Sequence, residues 1–152
     1  MSSIRITKQF NFETGHALYG YDGKCRNVHG HSYKLSVTVI GNPIEDTSHV
    51  KLGMVIDFGD LKRIVKEEIV TKFDHATVFN KNTPHVDLAN ELTQRGHKVI
   101  LADYQPTSEN MVIDFAAKIN SRLPKEIKLH SLKLQETETS FAEWYASDNS
   151  PL

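Results

Sequence analysis

At 152 residues the chain is long enough to bury one core and too short for two ordinary ones, so a single domain over 1–152 is expected. A hydrophobic fraction of 39% beside 24% charged residues fits a soluble globular protein, and the net charge of −1 lacks the basic surplus of a general nucleic-acid binder. No apolar run approaches the roughly 18 residues of a membrane span. The one cysteine permits no internal disulfide, and the first residues hold no signal-peptide apolar stretch, which gives a cytoplasmic expectation.

Apolar residues at the even positions of 4–12 mark a first strand. The polar, glycine-rich stretch 15–30 reads as a long loop. Residues 33–39, apolar at odd positions, form a second strand that Gly41-Asn42-Pro43 ends. A short extended piece at 54–56 precedes a helix capped by Asp57 or Asp60, with Phe58, Leu61, Ile64, Val65 and Ile69 as its apolar stripe. The pattern of 83–104 is weaker, open to a helix over 86–95 and a short strand over 98–102. A further helix follows Pro106-Thr107-Ser108 with Glu109 in its first turn, where a carboxylate suits the helix dipole. It buries Val112, Phe115, Ala116, Ile119 and Leu123 and closes at Pro124. Strands over 128–135 and 140–145 complete the chain. Paired helices between runs of strands predict an α+β fold, order ββααββ, with an antiparallel four-stranded sheet and two helices on one face.

Four clusters carry side chains with chemistry. In His29-Gly30-His31, residues i and i+2 of a strand share a face, so both imidazoles can reach one ion, and Gly30 removes a side chain between them. His16 is a natural third ligand if the first two strands pair as a hairpin. Three neutral histidines with an open fourth position suit a catalytic Zn²⁺, whereas hard cations want oxygen ligands. A surface histidine pair is the plainer alternative. Cys25, four residues before His29, is either a thiol whose pKa a nearby metal and histidines lower, making it a proton acceptor, or a small packing residue.

Asp74-His75 is a pair able to orient and charge an imidazole for proton transfer, or a helix-end aspartate beside a loop histidine. Adjacent strand residues rarely bond each other, so a shared third group is expected for this pair. Glu136 closes the strand before it. Its carboxylate suits the amidine-like edge of a pterin or guanine, or stands solvated at a strand end.

Taken in order, Cys25-Arg26-Asn27-Val28-His29-Gly30-His31-Ser32-Tyr33, Val55-Ile56-Asp57-Phe58-Gly59-Asp60-Leu61-Lys62, Phe73-Asp74-His75, Pro106-Thr107-Ser108-Glu109-Asn110 and Glu136-Thr137-Glu138-Thr139 resemble the 6-pyruvoyltetrahydropterin synthases and their bacterial relatives, the 6-carboxytetrahydropterin synthases. The resemblance covers nearly the whole chain. It implies a tunnel fold whose sheets join edge to edge into a trimeric barrel, with two trimers stacked as a homohexamer, an arrangement that leaves no sheet edge unpaired. Active sites then lie between subunits. By position it implies His16, His29 and His31 as Zn²⁺ ligands, Cys25 as proton acceptor and Asp74 and His75 as charge-relay partners. Glu136 becomes the pterin anchor, also grouped with the relay, and Glu109 a lining residue of the pterin pocket. The stretch 83–104 departs from the compact bacterial pattern.

The resemblance further implies 7,8-dihydroneopterin triphosphate as substrate and loss of triphosphate by elimination. Three residues separate Cys25 from His29, as in the branch that also releases acetaldehyde and leaves a 6-carboxy group on the way to 7-deazapurines and queuosine. The alternatives are a 6-pyruvoyltetrahydropterin synthase and a zinc- and pterin-binding module without turnover. The second is disfavoured because binding alone needs none of Cys25, Asp74 and His75.

Overall fold

β1 (Ile4–His16) and β2 (His29–Gly41) pair antiparallel along their whole length, from Ile4 opposite Gly41 to His16 opposite His29. This hairpin is the centre of the computed structural model, which describes residues 1–149. The expected single domain over 1–152 therefore includes three residues outside the described ones. Even residues of β1 (Phe10, Phe12) and odd residues of β2 (Tyr33, Leu35, Val37, Val39) share the buried face, as their alternation requires. β5 (Lys128–Thr137) pairs antiparallel with β2, and β6 (Ser140–Tyr145) with β5. Leu132, Leu134 and Trp144 extend the same core.

α1 (Phe58–Val65) starts where the Asp57 carboxylate accepts the Gly59 N–H at 2.7 Å, so Asp57 is the cap and Asp60 lies in the first turn. It buries Leu61, Ile64 and Val65, continues through a π-helical turn (Lys66–Val70) and ends in one α turn (Thr71–Phe73). Phe58, expected in the buried stripe, is half exposed at the helix start. Residues 54–56 form no strand. Instead the Met54 carbonyl accepts the Ile44 N–H at 3.0 Å in a closed loop.

Two elements fill the weak stretch, α2 (His85–Gln94) and β4 (Val99–Ala102), close to the helix and strand the sequence suggested. α3 (Ser108–Asn120) is capped by Thr107, whose hydroxyl accepts the Asn110 N–H. It buries Met111, Val112, Phe115, Ala116 and Ile119. Leu123 packs partly buried just beyond its end. Arg122 then reaches back to Glu68 at 2.7 Å and Glu67 at 3.0 Å, both on the π turn, and ties α3 to α1. Phe115 stands between Phe12 and Phe73, so truncating it to alanine is expected to cost about 3–5 kcal/mol.

The four-stranded antiparallel sheet is corrected here. The sheet has six strands, ordered β4-β3-β1-β2-β5-β6. The additional β3 (Ala76–Asn80) pairs parallel with the end of β1 at residues 14–16, and β4 pairs parallel with β3. Residues 76–80 show no alternation because both faces of β3 are covered, the usual state of a parallel strand. Val78 belongs to the main core, while Phe79 packs with Ala17 and Ala89 in a second small one. Successive strand residues face opposite ways, so α2 covers the face of β3 that the main core leaves open. The order is thus ββαβαβαββ, and its three helices do not share one face.

Candidate active site

The β1–β2 register sets the site. His16 stands opposite His29 and Thr14 opposite His31, so three imidazoles from two paired strands meet on the core face. One ring nitrogen from each lies within 4.8 Å of the others. On the far face Gly15 pairs with Gly30. A Cβ at Gly30 would meet the Thr14 carbonyl at 3.2 Å, and one at Gly15 would meet Thr77 at 3.2 Å, so both positions stay small.

Main-chain carbonyls fix the tautomers. His16 Nδ1 lies 2.6 Å from the Pro106 carbonyl, and His29 Nδ1 lies 2.7 Å from that of Asn27. A carbonyl only accepts, so each Nδ1 carries its proton and each Nε2 presents a lone pair. Those two Nε2 atoms stand 3.0 Å apart. Two lone pairs repel at that range unless a cation lies between them. Tetrahedral zinc would place them about 3.3 Å apart, and backbone carbonyls on Nδ1 are the usual outer partners of such ligands. Among the described residues His31 Nε2 is buried without an aligned partner, 3.2 Å from Glu136 Oε1. Burial pushes the pKa of both His16 and His31 below the ordinary imidazole value, which keeps them neutral and able to ligate. The cluster therefore fits a metal ion.

Glu136, near the end of β5, faces the same site. Its Oε2 accepts the hydroxyl of Ser108, the first residue of α3, and its Oε1 approaches His31. Glu109 is exposed at that helix start and lines a cleft of about 490 Å³ with Ser108, Glu136 and Phe141. Cys25 is half buried in a 3₁₀ turn (Lys24–Arg26), and its carbonyl accepts the Leu18 N–H at 3.0 Å.

Asp74 and His75 sit elsewhere. Asp74 ends the last turn of α1, and its Oδ1 accepts the Glu13 N–H at 2.9 Å while standing 3.0 Å from His75 Nδ1. His75 adopts φ +61, and its N–H donates to the Glu13 carbonyl at 2.6 Å. The pair thus bonds directly, contrary to the expected shared third group, because His75 turns into the left-handed region rather than running on as strand. With Nδ1–H toward Asp74, His75 Nε2 faces outward from a ring that is 77% exposed. Among the described residues, neither member hydrogen-bonds Cys25 or the three histidines. His75 does share a cleft of about 330 Å³ with Glu13, Gly30, His31 and Ser32.

Sequence reasoning passed over Ser108 and Tyr33. Tyr33 was detectable, since it lies two residues beyond His31 and so on the same face of β2.

An α+β fold with a largely buried three-histidine cluster between its central strands suggests a protein with a metal site. The chain belongs to the 6-pyruvoyl tetrahydropterin synthase family, whose model matches residues 5–147. It is 38% identical over 144 residues to the 6-carboxy-5,6,7,8-tetrahydropterin synthase of Haemophilus influenzae, covering 93% of this chain and 98% of that protein. The Rickettsia typhi protein of the same name is 34% identical over 142 residues, at 92% and 99% coverage. Among solved structures, an uncharacterized Wolinella succinogenes protein superposes with a TM-score of 0.75 at 21% identity, covering 95% of this chain and 99% of that one. The 6-pyruvoyl tetrahydropterin synthase of Caenorhabditis elegans gives 0.66 at 23%, covering 95% and 96%. At those identities the structural likeness shows the fold.

Proposed function

We propose that this chain is a zinc-dependent lyase that converts 7,8-dihydroneopterin triphosphate to 6-carboxy-5,6,7,8-tetrahydropterin, releasing acetaldehyde and triphosphate. The observation that carries the reading is the near full-length similarity to proteins of that name in H. influenzae and R. typhi. Three residues between Cys25 and His29 support the same branch.

His16, His29 and His31 hold the ion. When bound, zinc supplies Lewis acidity toward the substrate side-chain oxygens. Cys25, as thiolate, takes a proton from the side chain, and His75, oriented by Asp74, returns or relays one through Nε2. Glu136 anchors the N2/N3 edge of the pterin by accepting two hydrogen bonds, and Glu109 lines the adjoining cleft. Because His75 lines a different cleft from Glu136, the reading assigns it and Asp74 to the site of a neighbouring copy within a homohexamer.

The test is an anaerobic product assay on dihydroneopterin triphosphate. Stoichiometric acetaldehyde with 6-carboxytetrahydropterin is the expected outcome. Accumulation of 6-pyruvoyltetrahydropterin without acetaldehyde would move the chain to the other branch, and no turnover by zinc-loaded protein would leave a binding module.

A further inference from the structure

Tyr33 is 1% exposed, yet among the described residues its hydroxyl has no hydrogen-bond partner. Buried phenols nearly always find one, and an unmet polar group costs free energy that an apolar ring of the same shape would not. Packing alone gives no reason for the oxygen. The ring stacks on Phe12, its cross-strand partner, at 5.6 Å between centroids, and phenylalanine would make the same contact. What distinguishes the position is its surroundings. Tyr33 shares the β2 face with His31, whose ring centroid lies 5.5 Å away, and His16 lies 6.3 Å away on β1.

Among the described residues neither Glu136, whose oxygens face Ser108 and His31, nor Cys25 accepts this hydroxyl. A tyrosine phenol carries its proton at neutral pH and is a donor. A fixed O–H donor beside the histidine cluster therefore lacks only an oxygen to receive it.

We propose that Tyr33 is a positioning residue that donates its hydroxyl hydrogen to a side-chain oxygen of the bound pterin. This rests on the pterin reading above. With the substrate side-chain oxygens directed to the ion that His16, His29 and His31 would hold, the oxygen nearest this hydroxyl belongs to the substituent at C6.

The experiment compares two probes on zinc-loaded wild-type and Tyr33→Phe protein: 7,8-dihydroneopterin, which carries the hydroxylated side chain, and 7,8-dihydropterin, which lacks it. Affinities are read by calorimetry, and melting temperatures of the unliganded proteins are recorded alongside. Expected is about tenfold weaker binding of dihydroneopterin by Tyr33→Phe, with dihydropterin unchanged within about twofold. The variant should melt at or above the wild-type temperature, because an unpartnered buried hydroxyl has been removed. Equal weakening of both probes would overturn the proposal in favour of packing, as would a lower melting temperature. Unchanged binding of both would overturn it outright. Wild-type protein that binds neither probe would instead refute the pterin reading, and this inference with it.

Discussion

Asp74 Oδ1 stands 3.0 Å from Nδ1 of His75, its neighbour in the chain, because His75 holds φ at +61. A non-glycine residue in that region carries on the order of 1–3 kcal/mol of strain, kept in place here by the Glu13 main chain on both partners. Glycine tolerates the conformation, so His75→Gly should match wild-type stability within about 1 kcal/mol. Its turnover should nevertheless fall about 10²-fold or more. Denaturation midpoints and kcat measured together check this. A folded variant with normal turnover would remove His75 from the chemistry.

Asp74 also gives a pH signature. The Glu13 N–H, and after it the His75 imidazole, hold its carboxyl below the usual carboxylate range. A folded value below the unfolded one stabilises the protein above about pH 4, and that contribution is lost as pH falls through the lowered value. The carboxylate is open to solvent, so the effect is small. Urea titrations of wild type and Asp74→Asn should differ by a constant amount at neutral pH, and the gap should shrink below about pH 4. A gap that widens in acid would have the wrong sign.

Metal analysis of protein purified without chelator should find about one Zn²⁺ per chain. His29→Ala and His31→Ala should lose it sharply, since the two Nε2 atoms of His16 and His29, already 3.0 Å apart, cannot hold zinc without the third corner. Near-zero zinc that added metal does not restore would sink the metal assignment.

Cys25→Ala should keep both zinc and oligomer while losing turnover by about 10²-fold or more, the scale of a general base. Near-normal activity would return Cys25 to a packing role.

Beyond its pairing with β3 at residues 14–16 and the Asp74 and His75 contacts of Glu13, β1 leaves residues 4–12 as an open edge among the described residues, and β6 is the opposite edge of the sheet. Long open edges invite pairing with another copy. Light scattering on a sizing column should give roughly six times the 17.2 kDa chain mass. A stable, fully active monomer would contradict a site shared between subunits.

Alternation made β1 and β2 readable, and with them the common face of His29, His31 and Tyr33, because a strand covered on one side writes its geometry into period two. The stripes of α1 and α3 were readable for the same reason at helical spacing. β3 was not, since burial by the main core on one face and α2 on the other erases alternation from residues 76–80. The direct Asp74–His75 contact was hidden too, as nothing local in the sequence forces a histidine to positive φ.

The sequence by itself determined the donor set, the parity of the histidines on β2 and the family motifs in their order. Only the tertiary structure decided that His16 lies opposite His29, because antiparallel register depends on pairing over thirteen residues of each strand. It likewise brought the Pro106 carbonyl, ninety positions on, to the Nδ1 of His16. That contact assigns the proton and turns the Nε2 lone pair inward, and no local pattern in either segment encodes it.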